Sequence, residues 1–231
     1  MLFPSPRLNP GARAAVMPVG QGRVPVLIVD DILDDAQAVA DAARDLSYGP
    51  PGRIGYPGSN ADIDRGFAAA LLTLLRPPLQ SVFGVPAGAS LACDGYFGLV
   101  CTPENELTVR QGVPHVDTTQ PRSLALLWYL CDETFGGTGF FRHRATGLEL
   151  VTDDRRAVYE DALATELAGR APAYPRSDDP AFELIGQAEA KFNRLLVYPG
   201  NLLHSGLVMP GRLSTDPARG RLTANLFVTP S

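Results

Sequence analysis

The chain has 231 residues, 45% hydrophobic and 19% charged, with 25 acids against 20 bases and a formal net charge of −5. That length and apolar share suit one large domain with a real core and exclude a disordered chain. The negative balance argues against nucleic acid as the main partner, and the longest apolar runs, 123–131 and 68–75, fall short of the roughly 20 residues of a membrane helix, so no membrane association is expected.

The three cysteines, Cys93, Cys101 and Cys131, are odd in number and show no CxxC spacing, which suits a reducing cytoplasm better than a disulfide framework. Of the 20 cations only Lys191 is a lysine. Residues 1–23 carry prolines and scattered arginines without an apolar stretch, and read as a loosely held N-terminal arm rather than a secretory signal. From residue 24 to 231 we expect a single domain. Its lead-in, 24–88, begins with the apolar strand VPVLIVD. Helices are expected over 34–46, N-capped by Asp34, and over 65–75, where Pro77 and Pro78 should end the second. Residues 49–64, rich in glycine and proline, read as a loop.

From 89 to 231 the periodicity changes to that of strands: SLACDGYFGLV, LTVRQGVPHVD, SLALLWYL and FFRHRA, then a helical insertion near 149–180 with its helix over 153–168. FELIGQA, NRLLVYPG, NLLHSGLV and RLTANLFV follow as further strands. The expected fold class is α+β with a mainly β core, a double-stranded β-helix (jelly-roll, cupin-like) flanked by helices.

Only three histidines are present, and one begins the HxD motif His115-Val116-Asp117. On a strand, i and i+2 share a face, so imidazole and carboxylate can converge on one ion. His204, in the later strand NLLHSGLV, is the best third ligand, completing a two-histidine, one-carboxylate set of the kind that holds non-haem Fe(II). An isolated HxD recurs by chance, and a lone strand histidine is usually a hydrogen-bonded core residue; the argument rests on their combination with a later arginine. Arg221 and Thr223 again share one strand face, opposite Leu222, Ala224, Leu226 and Val228. An arginine on a strand buried on both sides needs an anion, and a guanidinium fork with a hydroxyl suits a carboxylate. His143, between Arg142 and Arg144, reads as part of a strand whose arginine face is either solvated or turned toward an acidic substrate.

In their order, His115-Val-Asp117, the strand ending Tyr129-Leu130, the turn Gly136-Gly137-Thr-Gly-Phe140, His204, and Arg221-Leu-Thr223 resemble the Fe(II)/2-oxoglutarate-dependent dioxygenase superfamily, especially its prolyl-4-hydroxylase-like branch. The resemblance covers roughly 90–230. It implies Fe(II) held by His115, Asp117 and His204 as the catalytic centre, 2-oxoglutarate as co-substrate with its far carboxylate on Arg221 and Thr223, and O2 at an open position. It further implies hydroxylation of a small-molecule or peptidyl substrate, with Tyr129 either a further contact to the keto acid or an aromatic core residue. The gap from His204 to Arg221 is longer than usual, which keeps Arg219 and Arg212 as alternative anchors. A lysine-anchored variant would need Lys191, which sits awkwardly before the distal-histidine strand. A cupin-like metal enzyme of another class would need no Arg221–Thr223 pair, and a catalytically silent jelly-roll binding module would need no intact site. Oligomeric state is not readable.

Overall fold

The computed structural model describes residues 3–52 and 55–231, so Met1, Leu2, Arg53 and Ile54, which belong to the expected arm and the 49–64 loop, lie outside it. Strands β1 (Arg13–Val19), β2 (Val24–Asp30), β3 (Gly58–Asp62), β4 (Leu91–Val100) and β5 (Leu124–Tyr129) are followed by β6 (Thr138–His143), β7 (Phe182–Ala188), β8 (Leu195–Pro199), β9 (His204–Gly206) and β10 (Arg221–Pro230). They form an antiparallel seven-stranded sheet, β1-β2-β8-β5-β10-β4-β3, and a three-stranded sheet, β7-β6-β9. Helices α1 (Ala36–Arg44) and α2 (Arg65–Phe83) pack on the large sheet, and α3 (Asp153–Leu167) on the small one. The flanking by helices is modest beside the β core.

Alternation along the strands decides what each face does. On β10, Leu222, Ala224, Leu226 and Val228 join the core under α1 and α2, with Phe67, Leu71, Leu75 and Trp128. On β5, Ala125, Leu127 and Tyr129 face inward with Tyr198 and Phe140, between the sheets. Phe141, Phe182 and Leu203 on the small sheet's outer face meet Tyr159 and Leu163 of α3. Three layers of apolar contact thus hold two sheets whose facing surfaces are free to carry polar groups.

Five sequence expectations change. The arm reading of 1–23 fails for residues 13–19, which pair with β2 along its full length, Pro18 opposite Pro25. An edge strand tolerates a proline because one side of its ladder is unused. Residues 58–62, inside the expected loop, form the other edge, drawn into register against β4 despite poor strand propensity. Helix α2 runs through Pro77 and Pro78 to Phe83, ending at Gly84 with φ 66°. Each interior proline costs about 3 kcal/mol, but Leu75 and Leu79 are fully buried on its continuing apolar face. Finally, LTVRQGVPHVD is not a strand: following a 3₁₀ turn at Glu104–Glu106, it makes another at Val109–Gly112, started by a Thr108–Gln111 capping box. Asp34 is not the N-cap of α1 either; Asp35 holds that place and pairs with Arg7.

Lys191 and Arg194 close on Asp30 at 3.0 and 2.6 Å, tying the end of β2 to the approach of β8. The arginine hydrogen bond, ahead of the lysine's, lowers the Asp30 carboxyl to about 2. A carboxyl depressed in the fold stabilises above its unfolded value and loses that contribution as pH falls. The stability difference between wild type and Asp30→Asn, from urea melts, should therefore hold level above about pH 4 and vanish as pH drops through about 2. Leu79→Ala should cost about 2–5 kcal/mol in the same melts, the range for emptying a core leucine site; a cost near zero would mean that the helix beyond the prolines is not held by packing.

Candidate metal centre

The HxD segment owes its extended form to a partner strand. His115 and His204 exchange both backbone hydrogen bonds, each at 2.9 Å, and Asp117 N–H donates to the Gly200 carbonyl at 2.8 Å. This short antiparallel stretch restores the i, i+2 alternation locally and sets the His115 and His204 rings 4.6 Å apart. One ligand atom from each of His115, Asp117 and His204 lies within 4.8 Å of the other two.

The protonation pattern favours a cation there. His204 Nδ1 lies 2.8 Å from the Leu202 carbonyl. A carbonyl only accepts, so Nδ1 carries the proton and Nε2 presents a lone pair, 3.5 Å from an Asp117 carboxylate oxygen. Burial lowers His204 to about 4; His115, which remains exposed toward the cavity mouth, is likewise lowered to about 4, first by the protein packed around its ring and then by His204. Both rings are therefore neutral at pH 7. Two imidazole lone pairs and a carboxylate converging without a proton between them fit a divalent ion.

The three side chains open onto a cavity of about 680 Å³ between the sheets. Arg221, 5% exposed, lies on its wall with Nη2 donating to the Gly137 carbonyl at 3.1 Å. Its Nε is buried with no hydrogen-bond partner among the described residues, and no carboxylate there pairs with the guanidinium. Gly136 makes this arrangement possible: its φ is 78°, and a Cβ there would fall 1.8 Å from the Leu207 carbonyl oxygen. The alternative anchors point away, Arg219 exposed beside Asp216 and Arg212 in an exposed turn.

Tyr129 does not line the cavity. It is fully buried, its hydroxyl 2.6 Å from Thr138 Oγ1, and its ring lies under the guanidinium, 5.5 Å from Arg221 Cζ. Thr223 is also buried; its hydroxyl accepts from Asn225 Nδ2 at 3.0 Å and points at the Gly98 carbonyl at 3.5 Å. Of the residues expected to touch the keto acid, Arg221 reaches the cavity directly, while Tyr129 and Thr223 support its wall. Sequence reading missed Tyr198, whose ring is edge-on to His204 at 4.8 Å, and Tyr56, Tyr96, Tyr174 and Phe227, which supply most of the aromatic lining. The inward alternation of Tyr198 on its strand was the available signal.

His143 takes no part. It is buried on the far side of the small sheet, within hydrogen-bond reach of Thr146 and Glu166 at 2.8 and 2.7 Å. Arg142 pairs with Glu149 and Glu183, so that face is spent on structure.

Solved structures share this architecture at low identity. HygX from Streptomyces hygroscopicus, with nickel and 2-oxoglutarate bound, superposes with a TM-score of 0.51 at 12% identity, over 90% of this chain and 84% of HygX. SnoN, the non-haem α-ketoglutarate-dependent epimerase from nogalamycin biosynthesis, gives 0.50 at 15% identity, over 90% and 79%. These likenesses establish a fold shared with 2-oxoglutarate-dependent enzymes and leave the reaction open. No curated protein matches the chain. Among the described residues no helix is long and apolar enough to cross a membrane. The model of DUF6445, a family of unknown function, matches residues 10–228, nearly the whole chain, and the protein belongs to that family.

Proposed function

We propose that this protein is a non-haem Fe(II)- and 2-oxoglutarate-dependent oxygenase that hydroxylates an unactivated C–H of an amino acid, peptide or small metabolite. One observation carries the reading: a histidine–aspartate–histidine cluster and a buried arginine without an acidic partner line the same cavity. A buried guanidinium is costly unless an anion meets it. A cupin-like enzyme of another class or a silent binding module would have no use for that cost beside an intact triad. The fold shared with HygX, which binds nickel and 2-oxoglutarate, supports the same reading, and the order of motifs favours the prolyl-4-hydroxylase-like branch.

His115, Asp117 and His204 would hold Fe(II), His204 through Nε2 because Leu202 keeps the proton on Nδ1. When bound, the iron would supply O2 activation coupled to oxidative decarboxylation of 2-oxoglutarate to succinate. The chain's own work is placement. Arg221, fixed by the Gly137 carbonyl and by the Tyr129 ring beneath it, turns donors toward the far carboxylate. Tyr198, whose phenol burial holds well above its ordinary pKa, stays protonated beside Asp117. The aromatic wall excludes water, and a cavity of this size takes a co-substrate with a small substrate or side chain.

Arg221→Lys keeps charge but loses the planar fork, and should weaken 2-oxoglutarate binding by about 1–3 kcal/mol. Anaerobic titration of the Fe(II) protein, followed by its weak visible band, measures this; Thr223→Ala should cost less, and wild-type binding by Arg221→Ala would reject the anchor. His115→Ala and His204→Ala should each weaken Mn(II) binding by orders of magnitude in calorimetry. Because both histidines titrate near 4, proton competition begins late: wild-type Mn(II) affinity should stay level from pH 8 to about pH 5 and fall below it. A fall starting near pH 6.5 would indicate ordinary, solvated imidazoles.

A further inference from the structure

We infer that the Tyr56 hydroxyl, contributed by the segment before β3, is a direct donor to the far carboxylate of the keto acid, alongside Arg221. The inference rests on the oxygenase reading and adds a residue to it. Among the described residues, hydroxyls around the guanidinium are nearly all committed. Tyr129 is engaged by Thr138, Tyr174 donates to the Thr102 carbonyl at 2.6 Å, and Thr223 is held between Asn225 and Gly98. Tyr56 differs. Its hydroxyl oxygen is buried and has no hydrogen-bond partner among the described residues, although Tyr56 itself lines the cavity. Arg221 acts on it electrostatically, and the nearby Thr223 hydroxyl is within weak hydrogen-bonding influence but is already taken by Asn225 and Gly98.

Its placement is specified by its surroundings. Register sets Asn60, Gly98, Thr223 and Tyr129 side by side across β3, β4, β10 and β5. Gly98 is the gap in that row: a Cβ there would lie 2.3 Å from the Tyr56 hydroxyl and 2.9 Å from Asn225 Nδ2. The phenol therefore fills the space above a glycine on the wall that carries Arg221. Backbone bonds hold it there. The Tyr56 carbonyl accepts from Gln111 Nε2 at 3.2 Å and from Gly58 N–H at 3.1 Å, and its ring is edge-on to Tyr96 at 5.4 Å.

Two orphaned donors, Tyr56 Oη–H and Arg221 Nε–H, thus belong to residues that line the same cavity. A carboxylate has lone pairs for both, and burying either donor unmatched would be costly. A neutral substrate oxygen could take one donor but leaves the guanidinium charge unmet, so the carboxylate of the co-substrate is the better fit.

Tyr56→Phe removes only the hydroxyl. Calorimetric titration of the anaerobic Mn(II)-loaded protein should show roughly tenfold or greater weakening for 2-oxoglutarate, the scale of a hydrogen bond to a charged group. 2-Oxobutyrate, which chelates alike but has no far carboxylate, should bind wild type and variant equally, with Mn(II) affinity and melting temperature unchanged. Equal 2-oxoglutarate affinity in both proteins, or equal losses for both keto acids, would overturn the assignment while leaving the oxygenase reading standing. Absence of 2-oxoglutarate binding by wild type would instead reject the oxygenase reading and this assignment with it.

Discussion

The reciprocal backbone hydrogen bonds between His115 and His204 are the constraint on which the site depends. They join an irregular segment to a three-residue strand, neither of which would persist alone. Everything around them serves to hold that join. Phe140 of β6 sits opposite His204, and β6 is in turn held by β7 on its other side. Gly136 and Gly137 let the chain enter β6 at the distance that places a carbonyl on Arg221. Release the join and the two histidines, 89 positions apart, lose their register, leaving their segments tied at one end where the Gly200 carbonyl accepts from Asp117 N–H.

The cavity wall illustrates a division of labour between the faces of one sheet. The outer face of β10 buries leucine, alanine and valine under α1 and α2 and carries stability. Its inner face holds Arg221, Thr223 and Asn225, polar groups that weaken the fold unless matched. Sealing the outer face with two helices gives the domain stability enough to keep unsatisfied donors on the other. The same logic explains the persistence of α2 past its prolines: Leu79, with Val82 and Phe83, continues the core that covers the outer face of the sheet.

His143 shows what a structural histidine looks like in the same molecule. Its ring is enclosed and both nitrogens have side-chain neighbours at hydrogen-bond distance, Thr146 and Glu166. His204 has one nitrogen satisfied by a carbonyl and the other turned toward a carboxylate and a second imidazole. The contrast in partners, rather than in burial, separates the two roles.

Alternation and motif order are local properties of the chain, and they made legible the mainly β character, most strand positions and the helices at 36–44 and 153–167 within a few residues; they also singled out His115, Asp117, His204 and Arg221, which the fold brings to one cavity. Local pattern misjudged β1 and β3, whose proline, glycine and asparagine argue against strands until a neighbouring strand offers them a ladder. It also ended α2 at prolines that burial of Leu79 overrides. Long-range packing, invisible in the chain's spacing, puts Tyr129 and Thr223 behind the wall, turns Arg221 rather than Arg219 or Arg212 to the cavity, and fills the space above Gly98 with Tyr56 from a loop without a pattern. The physical reason is that hydrogen-bond satisfaction belongs to atoms brought together across strands: whether a hydroxyl is spent or free depends on neighbours that no spacing along the chain encodes.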